Sequence, residues 1–142
     1  MLAEIKSGKL MVRQKPGQSN ALGLVKFIFP NEFDVYLHST PSPLLFNQSR
    51  RDFSHGCIRV EKPAELAAWL LRDQPAWTLE KVRAAMQSGP DNQHVNLTMP
   101  LPVVIVYLTA IVEEDGQVYF YKDIYGHDGA LNAALAKGQP YQ

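Results

Sequence analysis

FSHGCIRV, residues 53–60, divides the chain into two parts of different character. Upstream, residues 24–29 (LVKFIF) are rich in Val, Ile and Phe and are closed by Pro30-Asn31, which predicts a strand. Residues 33–38 (FDVYLH) alternate. Phe33, Val35 and Leu37 would share one face, and Asp34, Tyr36 and His38 the other, with His38 at the strand terminus. Residues 9–14 read as a further short strand before the Pro16-Gly17 turn, and Pro41 and Pro43 make 39–53 a loop. Downstream the period changes. Pro63 suits a first helical turn, and Leu66, Trp69 and Leu70 fall at i, i+3 and i+4. A second helix is predicted from Thr78 as N-cap, with Leu79, Val82 and Met86 as its apolar face and Gly89 as its stop. Residues 103–112 then read as a long strand. Asp115-Gly116 turns it onto a partner at 118–121, and a short helix follows at 131–136. Strands, then helices, then a hairpin define an α+β chain.

The 142 residues suit one domain, and 46% hydrophobic with 20% charged residues is an ordinary globular composition. Fourteen basic residues balance fourteen acidic ones, so no basic excess points to nucleic acid or to an anionic membrane. The apolar run 101–112 is too short to span a bilayer and contains Pro102. Residues 1–17 show no apolar core of signal-peptide length and no small-residue cleavage site, so they are not expected to act as an export signal.

Cys57 is the single cysteine, so no intrachain disulfide forms. Lone cysteines are often small buried hydrophobes. Here Gly56 precedes the thiol, and His55 and Arg59 flank it at two residues' distance. A glycine beside a nucleophile permits backbone angles that aim N–H groups at an oxyanion. The thiol needs a base or a positive environment. His55 would share its direction in an extended segment, whereas His38 reaches it only through folding. A zinc site of His38, His55 and Cys57 is the competing chemistry, but no CxxC, HExxH or other ligand spacing supports it, and no metal or other cofactor is predicted.

The ordered set His38 … Ser54-His55-Gly56-Cys57-Ile58-Arg59 resembles the signature of L,D-transpeptidases with a YkuD-type catalytic domain. The approach to His38, from Arg13 onward, and the segment VYLTAIVEEDGQVYFYKDIYG are similar to the YcbB-like branch. The resemblance implies a β-rich α+β catalytic domain over residues 1–142, with helices after the cysteine loop and further strands upstream of residue 9. The chain is therefore expected to be a C-terminal portion, and an exposed strand edge would favour a homo-oligomer. The implied site has Cys57 as nucleophile and His38 as base. The Ser39 carbonyl would hold the imidazole tautomer, and His55 and Gly56 would support the loop. Arg59, Ser54 and Tyr36 would meet substrate. The implied partners are peptidoglycan stem peptides. Acylation would release D-Ala and lead to 3→3 crosslinks in the periplasm or cell envelope, and carbapenems would acylate the same thiol. An L,D-carboxypeptidase, or an inactive wall-binding remnant, are the alternatives.

Overall fold

The computed structural model describes residues 1–54 and 56–138. The chain forms two compact units, residues 1–101 and 102 onward.

The first unit carries a small mixed sheet. β1 (Lys26–Phe27) pairs antiparallel with β2 (Leu37–His38), and β2 pairs parallel with β3 (Ile58–Arg59). The predicted strands at 24–29 and 33–38 both exist, but only their ladder-forming residues, Lys26–Phe27 and Leu37–His38, are regular. Asn31 explains the loss at 33–35. Its Oδ1 accepts from the N–H groups of Phe33 (3.1 Å) and Val35 (2.9 Å), and its Nδ2 donates to the carbonyls of Phe29 (3.0 Å) and Val35 (2.7 Å). An Asn that bonds its own following backbone substitutes a turn for a strand. Asp34 accordingly sits at φ 52°.

The expected strand at 9–14 is absent. The N–H groups of Lys9 (2.9 Å) and Leu10 (3.1 Å) donate to the Glu4 carbonyl instead, and just beyond the segment Ala21 N–H bonds to Gln14 Oε1 (2.9 Å) and Asn20 Nδ2 to the Lys15 carbonyl (2.9 Å). A five-residue helix precedes it, α1 (Leu2–Lys6), which the sequence pattern did not announce. The loop 39–53 holds a short 3₁₀ turn, Pro43–Asn47.

α2 (Pro63–Leu70) starts with proline at its first position, as predicted. α3 (Leu79–Ser88) is capped by Thr78, whose Oγ1 accepts from Lys81 N–H at 3.3 Å, and Gly89 ends it. The buried stripe of α2 differs from the expected one. Ala64, Ala67 and Leu71 face Val82 of α3, while Trp69 lies half exposed with the Arg72 guanidinium 4.3 Å over its ring. Small alanines let the two helices approach, and this places the core one step around α2 from the larger residues. Phe27, Trp77, Leu79, Met86 and Leu97 pack around this cluster. Adjacent strand residues point to opposite faces, so Phe27 of β1 joins the helices and Lys26 looks the other way.

In the second unit, β4 (Ala110–Val112) and β5 (Val118–Phe120) form the predicted hairpin around Gly116, at φ 81°. The long strand expected at 103–112 is regular only over the three residues that β5 reaches. A strand lasts as far as its partner. α4 (Asp128–Ala136) covers the expected C-terminal helix and starts three residues earlier. Among the described residues, no helix is long and apolar enough to cross a membrane.

Candidate active site

Strand register brings the chemistry-bearing residues together. Lys26 faces His38 across β1–β2, and His38 faces Arg59 across β2–β3. Paired residues share a sheet face, and so do residues two apart on one strand. Tyr36 precedes His38 by two and Cys57 precedes Arg59 by two, so one face gathers Lys26, Tyr36, His38, Cys57 and Arg59. Backbone bonds from Ile58 N–H to Tyr36 O (3.0 Å) and from Val60 N–H to His38 O (2.9 Å) lock the cysteine segment onto the histidine segment. A cleft of about 360 Å³ opens on this face, lined by Tyr36, His38, Ser54, Gly56, Cys57 and Arg59, with Phe33 and Phe53 also contributing.

His38 is 4% exposed, and its Nδ1 lies 2.6 Å from the Ser39 carbonyl oxygen. A carbonyl only accepts, so Nδ1 carries the proton in the neutral ring and Nε2 keeps its lone pair. Ser39, equally buried, is fixed by its hydroxyl. Its Oγ accepts from Leu24 N–H (2.6 Å) and Val25 N–H (3.0 Å) and contacts Leu22 O at 3.4 Å, while its own N–H donates to Val25 O (2.9 Å). The carbonyl that orients His38 is therefore anchored to the chain ahead of β1. Gly23 makes this possible. It has φ 65°, and a Cβ there would stand 2.6 Å from Ser39 C and 2.7 Å from Thr40 N, both backbone atoms.

Cys57 is half-buried, with Sγ 4.0 Å from the Asp34 carbonyl oxygen. The Cys57 side chain, which lines the same cleft, is the largest influence on Tyr36. With burial and the thiolate's charge, it raises the phenol above its ordinary pKa. A phenol in that condition stays protonated. The Tyr36 ring meets the His38 ring edge-on, centroids 5.9 Å apart.

Ser54 Oγ donates to the Cys57 carbonyl (2.7 Å) and accepts a long contact from Gly56 N–H (3.4 Å), closing the cysteine loop on itself. Gly56 has φ 145°, a region that L side chains rarely adopt. Arg59 Nη2 donates to Phe53 O at 3.3 Å, and Arg50 forms a bidentate pair with Asp52 (2.6 and 2.8 Å). His55 lies outside the described residues.

The structure thus brings Tyr36, His38, Ser39, Ser54, Gly56, Cys57 and Arg59 into one neighbourhood. The sequence reading passed over Gly23 and Lys26 and used Asn31 only as a strand stop. Gly23 and Asn31 carried a usable signal, since a Gly before a strand and an Asn after a proline both mark special backbone. Lys26 carried none.

The YkuD family of L,D-transpeptidase catalytic domains matches residues 3–105. A protein of Haemophilus influenzae named "Putative L,D-transpeptidase" is 39% identical over 123 residues, which are 87% of this chain and 24% of that protein. The chain belongs to the L,D-transpeptidase family, with the mixed helix-and-sheet fold expected of it. It spans about a quarter of the length of the curated relative it matches.

Proposed function

We propose that the chain is the cysteine-bearing portion of a peptidoglycan L,D-transpeptidase catalytic domain, with Cys57 as nucleophile and His38 as base. The observation that carries this reading is the His38–Ser39 contact of 2.6 Å on the sheet face that also bears Cys57. It turns the lone pair of His38 Nε2, in the neutral ring, toward base chemistry on the face that bears the half-buried thiol.

In the proposed cycle, His38 Nε2 takes the thiol proton and Sγ attacks the carbonyl preceding the terminal D-Ala of a stem tetrapeptide. The new C–S bond forms, and the C–N bond to D-Ala breaks as the proton passes to the leaving amine. A side-chain amine of a second stem then attacks the thioester, giving a 3→3 amide and returning the proton to Cys57. Gly56 and Cys57 N–H groups would hold the oxyanion, and Arg59 would meet a substrate carboxylate. The site of action is the cell envelope.

Intact mass after incubation with meropenem tests the reading, as does release of D-Ala from a tetrapeptide donor. A single covalent adduct is expected, lost in Cys57→Ala. In His38→Ala its rate should fall by about 10²–10⁴-fold. Unmodified, folded, reduced protein after prolonged exposure, with no D-Ala released, would count against the assignment.

A further inference from the structure

Lys26 lies on the first strand of the sheet, and nothing in its sequence neighbourhood marks it for chemistry. Register places it directly opposite His38. Its ammonium stands 3.5 Å from the centroid of the Tyr36 ring. The same ring touches His38 edge-on, and Tyr36 lines the cleft beside Cys57. Lys26, Tyr36 and His38 thus form one stack on the sheet face whose cleft Cys57 also lines.

We propose that Lys26 is a positioning residue for the nucleophile: its ammonium holds the Tyr36 ring so that the phenol hydroxyl is presented to Cys57 Sγ. A cation over an aromatic face is attracted by the ring's negative quadrupole, which fixes a side chain otherwise free to turn about χ1. It also draws electron density from the phenol, which makes the O–H a stronger donor. A donor aimed at sulfur favours thiolate over thiol. The raised pKa of Tyr36 agrees with a phenol that keeps its proton beside Cys57. The charged and titratable groups around Cys57 are Asp34, Tyr36 and His38 from the segment ending in β2 and Arg59 from β3, which line its cleft, with Lys26 of β1 behind Tyr36. Lys26 differs from the others in acting through Tyr36. The inference deepens the proposed function, resting on it only for Cys57 as nucleophile.

Alkylation of the 142-residue chain by iodoacetamide, followed by mass against pH, reads thiolate formation without any peptide substrate. In Lys26→Met the midpoint should rise by about half a pH unit, slowing alkylation below the midpoint about threefold. Lys26→Arg should restore the wild-type profile, because a guanidinium also stacks on aromatic faces. Tyr36→Phe should raise the midpoint similarly, and Lys26→Met should add nothing in that background. A Lys26→Met profile equal to wild type, with unchanged tryptophan fluorescence, overturns the proposal. So does a full additional shift in the Tyr36→Phe background, which would make Lys26 a through-space charge. If Lys26→Met does not fold, a Tyr36→Phe midpoint equal to wild type overturns it alone. Failure to turn over a tetrapeptide donor would sink the transpeptidase reading and leave these profiles standing.

Discussion

The two units of the chain each rest on a polar network, and the networks differ in burial. In the first unit His38 and Ser39 are 4% exposed and are held by backbone partners from residues 22–25. In the second, Tyr107 Oη donates to Asp123 Oδ1 (2.8 Å) and accepts from Ile124 N–H (2.9 Å). Asp128 N–H donates to Asp123 Oδ2 (2.7 Å), and Thr109 Oγ1 donates to Asp128 Oδ1 (2.6 Å). The rings of Tyr107, Tyr125 and His127 cluster edge-on around it. Yet no described residue from 102 onward is buried. Water can replace a lost partner in the second network and not in the first. A single substitution should therefore be costly around His38 and mild around Asp123. The two tryptophans, Trp69 and Trp77, report on the first unit, whereas four tyrosines of the second lie at 107, 119, 121 and 125.

The largest effect should come from Gly23→Ala. The new Cβ would meet backbone atoms of Ser39 and Thr40 that have no flexible end to move aside, at a positive φ that also disfavours alanine. A loss of about 3 kcal/mol or more is expected in urea unfolding followed by tryptophan fluorescence, with acylation of Cys57 slowed in whatever protein folds. An Ala variant as stable as wild type would show that the buried network yields more easily than its geometry suggests.

Ser39→Ala keeps the carbonyl that faces His38 Nδ1 but removes the acceptor of two N–H groups. The expected cost is about 2 kcal/mol, from donors left without a partner in a half-buried loop. Acylation should slow because the carbonyl is less firmly placed. A stability loss with unchanged acylation would separate the fold of residues 22–25 from the orientation of His38.

The legibility of the chain follows the same division. α2 and α3 were readable because their signals are local: Pro63 at a first turn, Thr78 as a cap, Gly89 as a stop. The hairpin was readable from Asp115-Gly116. Strand lengths were not, because the side-chain bonds of Asn31 and the short reach of β5 decide where a ladder stops. The family was visible in the order of His38 and the Ser54–Arg59 run. The structure contributes what no spacing shows: that Gly23 admits Ser39, and that β1 sets Lys26 opposite His38.

The smallest effect should be acid titration of the second unit. Asp123 is held at a pKa of about 2, against 3.8 ordinarily, chiefly because the Asp128 N–H donates to its carboxylate. A carboxyl whose folded pKa lies below its unfolded value stabilises the fold fully above the unfolded pKa. That contribution is lost as pH falls through the folded one. Near-ultraviolet tyrosine ellipticity should therefore hold above about pH 4 and decline toward pH 2. Asp123→Asn should remove most of this pH dependence, since the amide oxygen accepts at every pH but satisfies fewer donors. The first unit has acid-sensitive carboxylates of its own: the Arg50 pair lowers Asp52, and backbone hydrogen bonding together with the Arg83 contact lowers Glu65. Its tryptophan signal should accordingly titrate alike in both proteins. If Asp123→Asn instead collapses the tyrosine signal at neutral pH, its network is no more replaceable by water than the buried one, and burial is not what separates the two units.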